Sequence, residues 1–552
     1  MSLLIALMLA AAGAQQPPPR DSRLPATNPA IASVSGRVTV LDSTPATVIR
    51  RARVTLESPA LQQPETTDTD TQGRYNFTSI PAGSYRVTVS KPGFVTLQYG
   101  ATHASDRPAA LEVTAGASVT ADVALPRGAA LAGRLLNDAG EPVPNLVVSA
   151  TRFVITPAGR RPSIVRQGRT DDLGRFRIHS LPAGEYYLDG VPDPLDAANT
   201  LVLPGERPPG IMRTYFPGTP RVHEARRLTV TTGQEIGGLE FTLASVPVAS
   251  VAGRVLDSTG KPAALLGIRI QAVGGPTGEV RGFLLPQSSS FQFRTVPAGD
   301  YWLTATLQPA PNAPVEAAAM RITVAGQDQP DVTMTTAPGM IVEGRLELDA
   351  AGALPAPGRI QITPLETEFE LPNPNTRVGA PPPVAAAADG QFRINGLFGP
   401  RVVRVLGLPA GWALKSVWLG DTEITDTPTD FRGSNAPRPM RVVVTDKTGT
   451  VSGTVIDARK RPARAYRVIV FPEDERLWGP TSRFVVAGGP GADGRFAVRG
   501  LLPGKYFAAA VDRIDEDDWH DADVLRRLRA GAIAVTVAAM DTHTLTLVAR
   551  MP

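Results

Sequence analysis

Apolar residues alternate with polar ones in short runs along most of the chain, and Gly, Pro or Asp separates the runs. Alternation with a period of two places every second side chain on one face of an extended strand. One run, of the form apolar-x-Gly-Arg/Thr-apolar, occurs five times, with its glycine at positions 36, 133, 253, 344 and 453. We predict a half-buried strand at each copy, in which the glycine marks a bulge or the close approach of another backbone.

Two further signatures follow each opening run. The first is a second alternating strand, represented by Val54/Leu56, Leu146/Val148, Ile268/Ile270, Ile360/Ile362 and Val468/Val470. The second is a tight turn, usually ending in Gly, that leads to an aromatic residue: Tyr75, Phe176, Phe291, Phe392 and Phe496. Asp and Gly supply the positive φ that a tight hairpin needs, although serines replace them in the third copy. A tight turn that leads into a strand is therefore predicted at each of these positions.

A turn of the form Pro-Ala-Gly-x-Tyr comes next and leads into another strand. Its tyrosines are Tyr85, Tyr186, Tyr301 and Tyr506. Pro presets the backbone for such a turn and Gly closes it. The fourth copy, Leu397-Phe398-Gly399-Pro400, lacks the tyrosine and is interpreted as diverged. The tyrosines are interpreted as core or corner residues, with ligand contact as the alternative.

Short strands at regular intervals, with turn signals between them, predict an all-β protein. We expect a tandem array of about five seven-stranded sandwiches, immunoglobulin-like or transthyretin-like, at residues 33–126, 127–245, 246–337, 338–445 and 446–552, the fourth of them diverged. Residues 515–529 are the exception to the strand pattern. Acidic residues fill their first turn and arginines their last, which complements a helix dipole. A short helix packed on the last sandwich is predicted there.

These residues resemble a known family. The Gly-Arg opening, the Asp-x-x-Gly-Arg-aromatic turn and the Leu-Pro-Ala-Gly-x-Tyr turn resemble the carboxypeptidase regulatory-like domain. That family has a transthyretin-like sandwich and is similar to the collagen-adhesin B-type repeat and to starch-binding-like, carbohydrate-binding-like folds. The resemblance implies a fold and export, and it implies a module that accompanies a carboxypeptidase rather than the catalyst itself.

The first residues predict export. Leu3 to Ala12 form a short apolar run, and small residues precede Gln15, as in a secretory signal peptide over residues 1–14. Residues 15–32 are Pro-rich and predict a disordered leader. The mature chain is therefore expected to be secreted, periplasmic or in the cell envelope. No later run is apolar enough to span a bilayer, so we expect no integral membrane segment.

Composition and charge limit the classes of partner that we expect. There is no cysteine, so each sandwich must rely on its hydrophobic core. The net charge of +4 comes from scattered arginines without a basic stripe, which argues against nucleic acid. The remaining expected partners are an extracellular or envelope protein, or a polysaccharide.

Candidate chemistry is sparse. None of the five histidines stands in a zinc-binding spacing, so no metal, no cofactor and no catalytic residue is expected. Asp70, Asp172, Asp389 and Asp493 occupy turns, and one carboxylate for each turn is too few for calcium. We interpret them as turn-forming residues.

The tryptophans give the most specific binding hypothesis. Trp412 and Trp418 are six residues apart, so they would share one face of an extended strand. An exposed aromatic pair could stack on sugar rings; burial in a diverged sandwich is the alternative. The sequence thus predicts a non-catalytic exported binding and scaffold protein, with polysaccharide binding as one alternative. A peptidase-associated protein or a divergent hydrolase is the other.

Overall fold

The computed structural model describes residues 32–104, 110–191, 210–275, 288–309, 315–349, 354, 359–369, 383–432, 438–463, 466–491, 493–511, 514 and 518–550. The predicted signal peptide and nearly all of the leader lie outside this part of the chain. The chain forms two compact units, and the boundary between them falls at Leu125 and Pro126, with Pro92–Val95 grouped with the second unit.

The first unit consists of nine strands, which are β1 (Ala32–Val40), β2 (Arg53–Glu57), β3 (Glu65–Asp68), β4 (Arg74–Ile80), β5 (Gly83–Ser90), β6 (Leu97–Gln98), β7 (Leu111–Val113), β8 (Ser118–Thr120) and β9 (Val123–Leu125). One sheet has the order β4-β1-β8, with β9 also paired to β1, and the other has the order β3-β2-β5-β6, with β7 paired to β5. Val34, Tyr75, Val54 and Val87, from both sheets, are buried. This is the sandwich that the alternating pattern predicts.

The second unit begins with strands β10 (Ala129–Leu136), β11 (Val147–Thr156), β12 (Gly159–Arg169), β13 (Arg175–Leu181), β14 (Gly184–Val191), β15 (Gly210–Ile211), β16 (Thr214–Tyr215), β17 (Leu228–Val230), β18 (Glu235–Thr242), β19 (Ser245–Val246), β20 (Val248–Leu256), β21 (Leu265–Ala272), β22 (Ser290–Pro297), β23 (Gly299–Leu307), β24 (Glu316–Val324), β25 (Gln329–Thr335) and β26 (Ala337–Pro338). A 3₁₀ turn at Val222–Glu224 precedes β17.

It continues with strands β27 (Met340–Leu348), β28 (Gln361–Glu366), β29 (Val384–Ala385), β30 (Gln391–Leu397), β31 (Pro400–Leu406), β32 (Ala413–Leu419), β33 (Thr422–Glu423), β34 (Thr429–Asp430), β35 (Arg438–Thr445), β36 (Gly449–Ile456), β37 (Arg467–Pro472), β38 (Val486–Gly488), β39 (Arg495–Leu501), β40 (Gly504–Val511), β41 (Ile533–Val537) and β42 (Thr542–Arg550). Two 3₁₀ turns, Glu475–Leu477 and Asp518–His520, and the helix α1 (Ala522–Arg529) interrupt the strands. The all-β fold class is confirmed.

One arrangement of three strands recurs with each opening run. The opening strand, β1, β10, β20, β27 or β36, pairs antiparallel with the strand that carries the aromatic residue. On its other side it pairs parallel with a later strand, which is β8, β18, β25, β35 or β42 respectively. The opening strand therefore lies in the interior of its sheet, where both edges are hydrogen-bonded.

The repeated glycine is explained by this arrangement. Gly36 lies opposite Tyr75 in the register, and Gly253 lies opposite Phe291. A β-carbon built on Gly36 would stand 2.9 Å from the Tyr75 ring and would overlap the carbonyl oxygen of Ala121. On Gly253 it would overlap the carbonyl oxygen of Val332, on the parallel strand. The predicted close approach of another backbone is thus observed.

Buried side chains form several separate cores in the second unit. One cluster draws on residues 129–243, a second on residues 249–334, a third on residues 340–444 and a fourth on residues 451–547. Each combines the inward positions of an opening strand with those of the facing sheet. The division into five sandwiches with the boundaries given above stays a prediction.

The short helix covers the outer face of the last sheet. Leu525 and Leu528 of α1 pack against Ile469, Phe471 and Val511, which belong to β37 and β40. The helix is shorter than predicted because Asp521 caps it, its side chain accepting a hydrogen bond of 2.7 Å from the backbone N–H of Asp523. Residues 515–517 of the predicted helix lie outside the described residues. None of the helices that the structure describes is long and apolar enough to cross a membrane.

Candidate binding surfaces

Of the two candidate tryptophans, Trp412 directly precedes β32 and Trp418 lies near its end, and a bulge separates them. The pairing of β32 with β35 shifts by one residue between Leu414 and Ser416. One extra residue reverses the alternation, so Leu414 before the bulge and Val417 after it are both buried. Trp412 packs against the core, and Trp418 points to the other face. The expectation that both rings share one face is therefore wrong.

Trp418 is half-buried and held by two contacts. Its indole Nε1 donates a hydrogen bond of 3.1 Å to the Ser416 hydroxyl. The Arg441 guanidinium lies over its ring, 5.2 Å from the ring centre, in a cation–π contact. A single oriented aromatic ring beside a cation is thus available on this face. Whether it binds carbohydrate stays a prediction.

The repeated tyrosines close the turns that precede them. The phenolic hydroxyls of Tyr85, Tyr186 and Tyr301 each donate to the carbonyl of the proline four residues earlier, at 2.7 to 2.8 Å. Tyr506 donates to the Leu502 carbonyl at 2.8 Å. Their rings are buried in the cores, and burial raises the pKa of Tyr506 to about 12. The core and corner interpretation is confirmed.

The diverged fourth copy replaces this tyrosine with an arginine. Arg401 stands two residues after the turn glycine, as the tyrosines do, and its side chain is 1% exposed. The guanidinium donates to the Phe398 carbonyl at 3.0 Å and to the Glu366 carboxylate at 2.9 Å. Burial lowers the pKa of Arg401. The turn is therefore closed by a different donor, which the sequence pattern did not reveal.

The candidate aspartates are occupied by their own turns. The Asp70 carboxylate accepts from the backbone N–H of Gln72 and Arg74, at 2.8 and 2.7 Å. Asp389 and Asp493 accept from Gln391 and Arg495, each at 3.0 Å. In the second copy, Asp171 has this role rather than the predicted Asp172, because its carboxylate accepts from Leu173 and Arg175, at 3.0 and 2.8 Å.

A second family of turns was missed by sequence analysis. Asn137, Asp257 and Asp457 follow their opening strands, and each accepts backbone N–H groups from the residues two and four positions later. The signal that could have found them is an Asn or Asp five residues before a proline. Backbone N–H donors hold the pKa of the Asp257 and Asp457 carboxyls below its ordinary value.

The histidines do not converge on a metal site. His223 and Glu224 lie in the 3₁₀ turn, with His223 Nε2 3.7 Å from the Glu224 carboxylate. His543 Nε2 lies 2.8 Å from Asp541. Among the residues that the structure describes, no three His, Asp or Glu side chains are grouped so that they could hold a metal ion.

A partly buried polar joint connects the third and fourth cores of the second unit. Arg404 of β31 donates to the Thr425 carbonyl at 2.6 Å, to the Thr481 carbonyl at 2.7 Å and to Asp426 at 3.1 Å. Arg483 donates to the other oxygen of Asp426 at 3.0 Å. Burial, with a smaller effect from Arg483, lowers the pKa of Arg404 to about 10 despite the nearby Asp426. These contacts fix residues 481–483 against β31.

A second joint is apolar. Trp302 of β23 contacts Phe369, with ring centres 4.9 Å apart, and Phe398 and Ala317 complete the cluster. It connects the second core of this unit with the third. Both joints consist of residues separated widely in sequence, so neither was predicted.

One pocket lies beside the last corner tyrosine. It has a volume of about 340 Å³, and the residues that line it include Pro472, Leu477, Phe484, Pro503, Lys505 and Tyr506. That volume is at the lower end of the range for ligand pockets. Its walls are mainly apolar, and the charged residues Glu473, Asp474 and Lys505 also line it.

Comparisons with known proteins give one family match and several similar solved structures. Residues 33–126 match the family model of the carboxypeptidase regulatory-like domain. No curated protein matches the chain. Among solved structures, it is similar to GBS52, the minor pilin of Streptococcus agalactiae, with 14% identity over 39% of this chain and 97% of that one and a TM-score of 0.20. It is also similar to a streptococcal ancillary pilin, with 11% identity over 56% and 99% of the two chains and a TM-score of 0.19. A third similar structure is the shaft pilin SpaA of Lactobacillus rhamnosus GG, with 9% identity, 40% and 99% coverage and a TM-score of 0.17. With its Gly-Arg opening, its aspartate turn and its tyrosine corner, the segment 33–126 is thus the part of the chain that matches the carboxypeptidase regulatory-like domain.

Proposed function

We propose that this chain is a non-catalytic, exported binding and scaffold protein. The observation that carries the proposal is that the repeated aspartates and tyrosines hydrogen-bond to the backbone of their own turns. Asp70, Asp389 and their counterparts accept backbone N–H groups of their turns, and the repeated tyrosines donate to backbone carbonyls at the corners. A general acid or base must instead be able to reach a substrate proton. Side chains that close turns and corners in this way support the fold rather than a reaction.

The joints between cores support the scaffold part of the proposal. Asp426 receives two arginines, from β31 and from the segment before β38, and Trp302 stacks with Phe369 across the other joint. Desolvated polar contacts and aromatic packing restrict the relative motion of the parts that they connect. Surfaces on neighbouring sandwiches would then be presented in a fixed geometry, which favours multivalent binding.

Export rests on the first residues of the sequence. The apolar run Leu3 to Ala12 and the small residues before Gln15 support a signal peptide, and family membership of residues 33–126 is compatible with it. We place the mature protein in the periplasm, the cell envelope or the medium. Its partner would be an envelope or extracellular protein or a polysaccharide. Polysaccharide binding is the more specific candidate because Trp418 presents an oriented ring.

Two experiments test this function. The purified chain is incubated with a mixed peptide library and with a panel of polysaccharides, and products are measured by mass spectrometry. We expect unchanged substrates with and without added zinc. Products that scale with protein concentration and disappear on a single substitution would contradict the proposal. For export, cells expressing the full chain should yield a protein that begins at Gln15 outside the cytoplasm; an unprocessed cytoplasmic chain would contradict it.

A further inference from the structure

The diverged repeat has a wider opening sheet than the repeats that precede it in the second unit. The hairpin of β32 and β33 extends it to the order β30-β27-β35-β32-β33, whereas the sheets opened by β10 and β20 end at the parallel strand. One row of directly opposed residues crosses these five strands: Gln391, Arg345, Arg441, Trp418 and Glu423. Their chain neighbours Leu346, Val442 and Val417 are buried in the core. The row therefore lies on the face that points away from the core.

Two like charges stand side by side in this row. Arg345 and Arg441 are directly opposite each other on parallel strands, and both are exposed. Like charges in that position destabilise a sheet. In two other repeats, the arginine that follows the opening glycine faces a different residue on the parallel strand. Arg134 lies opposite Glu240, and Arg254 lies opposite Thr333. The repeated frame therefore does not require the arginine pair.

Neither guanidinium of the pair has a carboxylate partner among the described residues. Arg441 instead lies over the Trp418 ring at 5.2 Å. The acidic side chains on this face have other positions or partners. Glu343 is paired with Arg393 at 2.8 Å, Glu423 accepts from the Thr425 hydroxyl at 2.8 Å, and Glu347 lies in the next row, opposite Val443. Two exposed cations and a half-buried aromatic ring thus lie side by side in one strip on this face.

We propose that this strip binds an acidic polysaccharide, one whose pyranose rings carry carboxylates. A pyranose ring presents C–H groups that pack on the face or edge of an indole. A carboxylate accepts charge-assisted, bidentate hydrogen bonds from a guanidinium, and it would relieve the repulsion between Arg345 and Arg441. The inference deepens the proposed binding function, on which it rests, by naming the ligand class and the residues. The extra hairpin is then what specialises the diverged repeat.

Affinity electrophoresis of the full chain in gels that contain polygalacturonate tests this assignment. Arg345→Gln and Arg441→Gln should each weaken retardation by about threefold, as expected for an exposed charge pair. Trp418→Ala should weaken it by about tenfold. Arg254→Gln is the matched control, since Arg254 follows the opening glycine of another repeat and faces Thr333. It should leave retardation unchanged. Raising the salt from about 0.05 to about 0.5 M should also weaken retardation.

The outcomes that overturn the proposal are equally specific. They are no retardation by polygalacturonate, equal effects of Arg345→Gln and Arg254→Gln, retardation by neutral dextran alone, or equal retardation by single-stranded DNA. Arg345 and Arg441 are exposed, so their variants keep the test valid even if Trp418→Ala lowers the melting temperature. A failure here leaves the non-catalytic role standing, because that role is contradicted only by the appearance of reaction products.

Discussion

Gly133 and Leu239 approach so closely across parallel strands that the structure has no room for a β-carbon at residue 133. Such an atom would stand 2.6 Å from the Leu239 carbonyl carbon. Phe176 lies opposite the same glycine on the antiparallel side. The glycine therefore allows an aromatic ring and a parallel strand to pack against one interior strand. A β-carbon would likewise overlap a neighbouring carbonyl oxygen at Gly36, Gly253 and Gly453, and at Gly344 it would overlap the Phe392 ring.

The substitution Gly133→Ala should consequently destabilise its sandwich strongly. The new methyl group must displace backbone rather than a flexible side chain, so we expect a loss of about 2–4 kcal/mol. Differential scanning calorimetry of the full chain measures it as a downward shift of one transition. Gly237→Ala is the control, because a β-carbon there would meet nothing within 4 Å. Equal melting temperatures of the two variants would show that the close approach at Gly133 does not determine stability.

The corner tyrosine Tyr506 should make stability depend on alkaline pH. Its pKa is about 12 in the folded protein because of burial, and about 10 in an unfolded chain. The folded state holds the proton more tightly, so the stabilisation is complete below pH about 10 and is lost as the pH rises through about 12. The maximum effect is about 3 kcal/mol.

Melting temperatures measured at several pH values between about 9 and about 12 test this dependence. The wild type should lose stability more steeply than Tyr506→Phe, which cannot ionise. Below pH 9 the variant should be less stable by about 1 kcal/mol, because the Leu502 carbonyl loses its donor. Parallel curves for the two proteins would refute the role of the buried phenol.

The joint around Asp426 should respond to loss of its charge. Asp426→Asn leaves Arg404 and Arg483, whose side chains are 11% and 15% exposed, with a weaker acceptor. Because Asp426 itself is 41% exposed, we expect about 1–3 kcal/mol rather than the full cost of a buried unpaired charge. Limited proteolysis should then cut near residues 481–483 faster. Asp430→Asn, which removes the exposed pair with Arg432, should change neither quantity measurably.

The helix α1 should depend on one leucine. Leu525 is fully buried against the outer face of the last sheet, so Leu525→Ala should cost about 2–4 kcal/mol and release the helix. Trp478 and Trp519 belong to the same cluster, and tryptophan fluorescence should shift to longer wavelength. The exposed neighbour Arg527 provides the control substitution Arg527→Ala, for which an equal shift would contradict this packing.

Much of the fold was predictable because its determinants are local and repeated. A glycine in an alternating run, a tight turn before an aromatic residue and a tyrosine two residues after a turn glycine each specify a strand or a turn within about ten residues. The opening strands, the aromatic strands and the corners followed from them. Helix α1 was predicted in place but not in length, because Asp521 rather than an earlier acidic residue caps it.

The candidate site was less predictable, for a physical reason. The bulge between Leu414 and Ser416 inserts one residue without any break in the apolar pattern, and it alone sends Trp418 to the face opposite Trp412. The Arg345 and Arg441 pair depends on a parallel register between strands about a hundred residues apart. Contacts that depend on register are set by the assembled sheet, so local sequence does not reveal them.

Hydrogen–deuterium exchange of the full chain, read by mass spectrometry, tests most directly the claim that one repeated frame builds this protein. Each opening strand is paired on both edges, so its amides should exchange slowly. We predict five separate slow blocks, centred on Ala32–Val40, Ala129–Leu136, Val248–Leu256, Met340–Leu348 and Gly449–Ile456. Slow exchange concentrated in one continuous region that omits these strands would contradict the account.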